Sequence, residues 1–249
     1  MEVMMRNLLI IYGPPRTASS FLVSALVQHR QCFGTDALKD EDPKELRTNE
    51  NPFIDYYGSP DNAETIDRLW QEHVPEGEQN GYLVMRAPGY CYAYPYFSKL
   101  KDYACKYIFV DRNSFEVADS MLGHAPSQAV LRMPLVGTDC PDREKYDELW
   151  LAAGKLYAEA AFVNRALLRY DWHIKSIPDE MMKESLALKA YSARKSGKDI
   201  AAKIERYLNI EPDEAMTKVL NEFHHRSLTK KRKAEIESFI LPEIIWKIK

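Results

Sequence analysis

Residues 7 to 12, NLLIIY, form a nearly unbroken apolar run, and the stretch YGPPRTASSFL at 12 to 22 follows directly. A run of this kind suits a parallel strand buried on both faces. The next residues supply Gly13, Pro14, Pro15, Arg16 and three hydroxyls. Then Phe21, Leu22, Ala25 and Leu26 lie along one side of a helix expected from about Ala18 to His29. A buried strand, a tight basic turn and a helix in this order begin a strand–helix alternation that argues for right-handed crossovers and a mostly parallel sheet.

The same alternation recurs downstream. YLVMRAP at 82 to 88, KYIFVDR at 106 to 112 and WHIKSIP at 172 to 178 are expected as strands, with a weaker one in CFGTD at 32 to 36. Helices are expected at 62–73, at 146–170, at 199–208 and at 229–240, the last ended by Pro242. A further helix begins just past Arg112, where Asn113 and Glu116 have capping-box spacing. Residues 37 to 63 are polar and contain Pro43, Pro52, Gly58 and Pro60, so a long ordered loop is expected there. No internal repeat or linker interrupts the pattern, and residues 1–249 read as a single α/β domain with a mostly parallel sheet.

Composition narrows the partners. A formal charge of −3 excludes a general nucleic-acid binder, so any anion site must be local. The four cysteines, at 32, 91, 105 and 140, include no CxxC pair and show no zinc-type spacing with the six histidines. A reduced, cytoplasmic setting without a metal is expected. No segment has the layout of a secretion signal or the length of a membrane span.

The turn after the first strand carries the chemistry. In parallel sheets, ligands bind beyond the carboxyl ends of the strands. Backbone N–H groups there, a helix N-terminus, the Arg16 guanidinium and the Ser19 and Ser20 hydroxyls together suit an anion with several oxygens. Read alone, the stretch fits a plain capped helix with a solvated Arg16 equally well. The nucleoside-triphosphate loop G-x-x-x-x-G-K-[ST] and the dinucleotide fingerprint G-x-G-x-x-G are both absent. A second constellation lies in YIFVDRNSFEVADSML, where Arg112 ends a strand and Ser120 follows eight residues later on a helix. Such a pair can hold a second phosphate from two sides, whereas either residue alone reads as an ordinary exposed Arg or a surface Ser.

With these residues in place, the sequence resembles the sulfotransferases that use 3′-phosphoadenosine 5′-phosphosulfate (PAPS). Their 5′-phosphosulfate loop, P-[KR]-x-G-[TS]-[TS], corresponds to Pro15, Arg16, Thr17, Ala18, Ser19 and Ser20. Their 3′-phosphate motif corresponds to Arg112 and Ser120. The K-[TS]-P strand end of the carbohydrate-type members corresponds to Arg86, Ala87 and Pro88. The resemblance covers residues 7–35 and 82–122. It implies a three-layer α/β/α, P-loop-like fold with strand order 2-3-1-4-5. Ala18 stands where the family has Gly, which requires helical φ at that position. Arg86 replaces Lys. The family's C-terminal Arg-Lys-Gly stretch is missing, and HHRSLTKKRK at 224 to 233, with Arg226, is either a substitute cover for the nucleotide or a solvated helix start.

The resemblance implies transfer of a sulfuryl group from PAPS to a hydroxyl or amine of a small-molecule or carbohydrate acceptor. Arg16 and Arg86 would stabilise charge in flight. Pro88 occupies the neighbourhood of the histidine base of the phenol- and steroid-directed members. Carboxylates after the second strand are the alternatives: Asp36 first by its strand-end position, then Glu41, with Asp40, Asp42 and Glu50 nearby. His29 is expected to point away from the strand tips, and His124 lies just past Ser120. The competing readings are a small-molecule or nucleotide kinase and a non-catalytic nucleotide-binding protein. The aromatic-rich stretches NPFIDYYG and GYCYAYPYF suit either acceptor stacking or ordinary packing.

Overall fold

The structure, a computed structural model, describes residues 5–34, 61–78, 80–86, 94–133, 135, 142–189, 196–222 and 228–245. In chain order its first elements are β1 (Arg6–Tyr12), α1 (Ser19–Leu26), β2 (Cys32–Phe33), α2 (Asp61–His73), β3 (Tyr82–Arg86), α3 (Tyr94–Phe97) and β4 (Tyr103–Asp111). Then come α4 (Ser114–Leu122), α5 (Ala125–Val130), α6 (Arg143–Gly154), α7 (Ala158–Lys175) and α8 (Asp179–Glu184). Last are β5 (Ser185–Lys189), α9 (Gly197–Leu208), α10 (Glu214–Asn221), α11 (Lys230–Ser238) and α12 (Pro242–Ile245). Contacts divide the chain into two compact units. One comprises Met1–Gly13, Ala18–Val110 and Pro178–His225, the other Pro14–Thr17, Asp111–Ile177 and Arg226–Lys249.

The first unit holds the sheet, in the expected order β2-β3-β1-β4-β5. β1 lies between β3 and β4 and pairs with both in parallel, Ile11 beside Arg86 and Tyr12 beside Phe109. Its residues Leu8 to Tyr12 are all 0% exposed, as the unbroken apolar run requires. Alternate residues serve opposite faces. Leu9, Ile11, Val84, Ile108 and Val110 pack with α1, α9 and α10. On the other face Tyr107 meets Tyr94 of α3 at 5.6 Å between ring centroids, and Tyr103 meets Trp70 of α2 at 6.2 Å. Helices thus cover both faces, the α/β arrangement anticipated from the sequence. His29 is 1% exposed. Its Nδ1 accepts from Gln31 N at 3.0 Å, which leaves Nε2 to donate to Glu211 O at 2.8 Å. It braces the α1–β2 turn.

The second unit is helical. Val117 and Met121 of α4, Tyr146 and Trp150 of α6, Leu167 and Trp172 of α7 and Ile236 of α11 share one apolar core. Buried Asn164 ties the C-terminal helices to α7: Nδ2 donates to Phe239 O at 2.7 Å, and Oδ1 accepts from Leu241 N at 2.9 Å.

Two sequence expectations about the elements need correction. Residues 172–175 of the expected strand WHIKSIP are the last turn of α7. Trp172 is 2% exposed and packs edge-on against Tyr146, and its carbonyl accepts from Ser176 N and Oγ at the helix end. Helical packing thus overrides the local apolar alternation. The fifth strand is SLALK, 185–189, which no β-branched or aromatic residue marks and whose Leu, Ala and Lys favour helices. The expected helix over 146–170 is two helices, α6 and α7, separated at Lys155–Tyr157, where Tyr157 takes an extended conformation.

Candidate functional site

The turn after β1 is shaped by backbone geometry. Gly13 has φ +144, and a Cβ built there would lie 2.1 Å from Val110 O, so no other residue fits. Thr17 is fully buried, and its hydroxyl donates to Pro14 O at 2.9 Å. That hydroxyl braces the turn from within. Arg16 and Ala18 both have left-handed backbones, φ 68 and 67. The expectation of helical φ at Ala18 therefore does not hold: Ala18 is the N-cap residue, in the conformation that glycine adopts without strain. Left-handed residues beside right-handed ones turn successive N–H groups to one side and form anion-binding concavities. Ser19 and Ser20 open α1, whose first turn contains no acidic residue to offset the helix dipole.

Arg16, Arg112 and Ser120 come together in the structure. Arg16 Nε donates to Ser120 Oγ at 3.1 Å. Arg112, just past the end of β4, donates from NH1 to Arg16 O at 3.3 Å and from Nε to Glu116 Oε2 at 3.1 Å. The Arg112 and Glu116 side chains are only 16% and 14% exposed. Partial desolvation and, second, the nearby Arg112 charge lower the Arg16 pKa. The platform beneath them is fixed. Asp111 Oδ1 accepts from Arg112 N and from Tyr170 OH, each at 2.7 Å. Asn113 Oδ1 caps α4 by accepting from Phe115 N at 3.0 Å. Two guanidiniums, that of Arg112 already paired with Glu116, a hydroxyl and a braced turn are gathered here on a chain of net negative charge. Chemically this arrangement can hold an oxyanion by charge-assisted hydrogen bonds.

The other candidates are distributed as follows. Arg86 is the last residue of β3, half-buried and in register with Ile11, at the carboxyl end of the sheet. Pro15 is half-buried in the turn. Asp36, Glu41, Glu50, Ala87, Pro88 and Arg226 lie outside the described residues. His124 is the N-cap of α5, its Nδ1 accepting from Ser127 N at 3.3 Å. The described part of the basic stretch 224–233 is a capped helix start: Thr229 Oγ1 accepts from Arg232 N at 3.1 Å. Arg232 itself pairs with Asp119 at 2.7 Å, Glu159 at 3.2 Å and Glu235 at 3.0 Å. Sequence reasoning gave Glu116 only a capping role and missed it as the partner of Arg112. The i,i+4 spacing of the two was the available signal. Among the described residues no group of three or more His, Cys, Asp or Glu could hold a metal ion, and no helix is long and apolar enough to cross a membrane.

The strand order and the helices on both faces of the sheet define an α/β, P-loop-like fold, and solved structures of sulfotransferases share it. The sulfotransferase domain of the olefin synthase of Synechococcus PCC 7002 is similar with a TM-score of 0.51 at 13% identity, covering 98% of this chain and 94% of that one. A sulfotransferase from Alicyclobacillus acidocaldarius gives 0.50 at 17% identity, with coverages of 98% and 94%. The sulfotransferase domain of the curacin biosynthetic pathway gives 0.52 at 12% identity, with coverages of 98% and 96%. No family model and no curated protein sequence matches the chain. At these identities the similarity establishes the fold.

Proposed function

We propose that this protein is a sulfotransferase that moves a sulfuryl group from PAPS to a hydroxyl or amine of a small-molecule or carbohydrate acceptor. The observation that carries the reading is the linked set Arg16–Ser120 and Arg112–Arg16 O. Two motifs far apart in sequence meet, and two guanidiniums share one place, an arrangement an anionic ligand stabilises. The residues fit the donor: Arg16, Ser19, Ser20 and the turn backbone would hold its 5′-phosphosulfate, and Arg112 and Ser120 its 3′-phosphate. Thr17 supports the turn, and Ala18 contributes its backbone. Arg226 is proposed as part of the cover over the nucleotide.

PAPS supplies the sulfuryl group and a good leaving group. Arg16 and Arg86 would stabilise the negative charge that develops on the bridging and equatorial oxygens. A carboxylate, Asp36 before Glu41, would take the acceptor proton. No metal is required by this reading. Calorimetry with 3′,5′-adenosine bisphosphate and with ATP tests it. Binding of the bisphosphate in preference to ATP is expected. Preference for ATP would replace the reading with a kinase, and donor binding without turnover on an acceptor panel would leave a binding protein.

A further inference from the structure

Glu116 has no place in the donor-binding set above, yet it is the acid that holds Arg112. It lies in the first turn of α4, and Ser120, the partner of Arg16, follows one turn later on the same helix side. The four residues form a chain of contacts: Glu116 Oε2 to Arg112 Nε at 3.1 Å, Arg112 NH1 to Arg16 O at 3.3 Å, and Arg16 Nε to Ser120 Oγ at 3.1 Å. We propose that Glu116 is a positioning residue of the anion site, orienting the Arg112 guanidinium through Nε and, through Arg112, fixing the carbonyl of left-handed Arg16. This rests on the reading of Arg112 as a phosphate-binding group.

The geometry favours positioning over simple charge balance. A guanidinium has five N–H donors in a rigid planar fork. Glu116 takes the one on Nε and Arg16 O takes one on NH1, so the fork is fixed at two points. Among the described residues no hydrogen bond occupies the NH2 pair or the second NH1 proton, the donors an oxyanion would use. With 16% and 14% exposure, neither partner of the ion pair is a freely solvated surface group. Without Glu116, Arg112 keeps one anchor and rotates about its long side chain, and the Arg16 carbonyl loses a defined donor. The first-turn position of Glu116 also suits the α4 dipole. That role alone would affect helix stability and leave Arg112 unmoved.

The test compares Glu116→Gln and Glu116→Ala with the parent full-length chain. Gln keeps an oxygen that accepts from Nε, and Ala removes it. Three readouts are taken: hydrogen-exchange protection of Arg112 Nε–H by ¹⁵N NMR in the ligand-free protein, affinity for 3′,5′-adenosine bisphosphate, and the melting temperature. Glu116→Ala should lose the Nε–H protection and bind about 10-fold more weakly, the effect of one lost hydrogen bond to a charged group. Glu116→Gln should keep the protection and stay within about three-fold of the parent, since its acceptor is retained. Equal or tighter binding by Glu116→Ala would overturn the proposal, because the carboxylate would then only oppose the ligand's charge. Equal weakening in both variants would overturn it too, as would a lower melting temperature with Nε–H protection unchanged. If the parent binds no bisphosphate nucleotide, the donor reading fails on its own. The Nε–H signal then still decides: protection lost in Ala and kept in Gln sustains positioning, and any other pattern refutes it.

Discussion

Ala18→Gly should stabilise the protein, although the same substitution inside a helix does the reverse. Ala18 sits at φ 67, ψ 23 as the N-cap of α1. A left-handed backbone crowds Cβ against the following carbonyl and costs a non-glycine residue about 1–2 kcal/mol. Glycine relieves that crowding but loses more conformational entropy on folding, about 0.5–1 kcal/mol. The difference of the central values leaves a net gain of about 0.75 kcal/mol. At about 2–4 °C per kcal/mol for a chain of this size, the melting temperature should rise by about 1.5–3 °C.

Differential scanning calorimetry on parent and variant measures this directly. If residue 18 were instead the first helical residue, as the sequence alone indicates, Ala→Gly would cost up to about 1 kcal/mol and the melting temperature would fall. The sign of the shift therefore decides between the two backbones. A fall would refute both the left-handed assignment and the concavity built on it. Gly13→Ala supplies the control, because its Cβ would meet Val110 O at 2.1 Å. That variant should be strongly destabilised whatever the state of residue 18.

Other perturbations test the site and its support. Arg112→Ala should weaken binding of 3′,5′-adenosine bisphosphate by about 2–4 kcal/mol, since it removes a charged partner and the donor to Arg16 O; equal affinities on titration would remove the phosphate-binding role. Asp36→Asn should lower kcat by at least about 10²-fold with donor affinity near the parent value if Asp36 is the base. A dead Glu41→Gln beside an active Asp36→Asn would move that role to Glu41. Burial and, second, the Arg169 charge push the His173 pKa down from 6.5 to about 4. The unfolded chain therefore takes up a proton first, and this part of the stability, fully present above about pH 6.5, is lost as the pH falls toward 4. Melting temperatures across that window should decline, and His173→Gln should flatten the decline.

The parts of the fold that the sequence made legible are those dictated by burial. Leu8–Tyr12 of β1, Tyr82–Met85 of β3 and Tyr107–Val110 of β4 are buried apolar runs that leave no solvent face, and a strand of that kind can sit only inside a covered sheet. β5 was not legible because its burial is partial and its residues are helix formers, so only tertiary pairing makes it a strand. In the site, Arg16, Arg112 and Ser120 were readable as chemistry at strand ends and on a helix. The left-handed backbone of Arg16 and Ala18 was not. Local propensity opposes it, and nothing nearby in sequence reveals the donor that Arg112 supplies to Arg16 O from 96 residues away.

That long-range bond changes what the two motifs are. Read along the chain, the turn at 15–20 and the Arg112/Ser120 pair are separate holds for separate phosphates. In the structure Arg16 uses the hydroxyl of the second motif, and the arginine of the second motif uses a carbonyl of the first. Neither is complete by itself. A ligand phosphate that draws Arg112 toward it acts on the carbonyl of residue 16, and one that draws Arg16 away releases Ser120. The two motifs therefore form a coupled unit, and under the proposed donor-binding reading substitutions at Arg16, Arg112 and Ser120 should not contribute additively to affinity. Strain at Arg16 belongs to the same account: an unfavourable backbone persists where contacts from elsewhere over-determine it. Arg112, held by Glu116 on one edge and by Arg16 O on another, is the contact placed to do so.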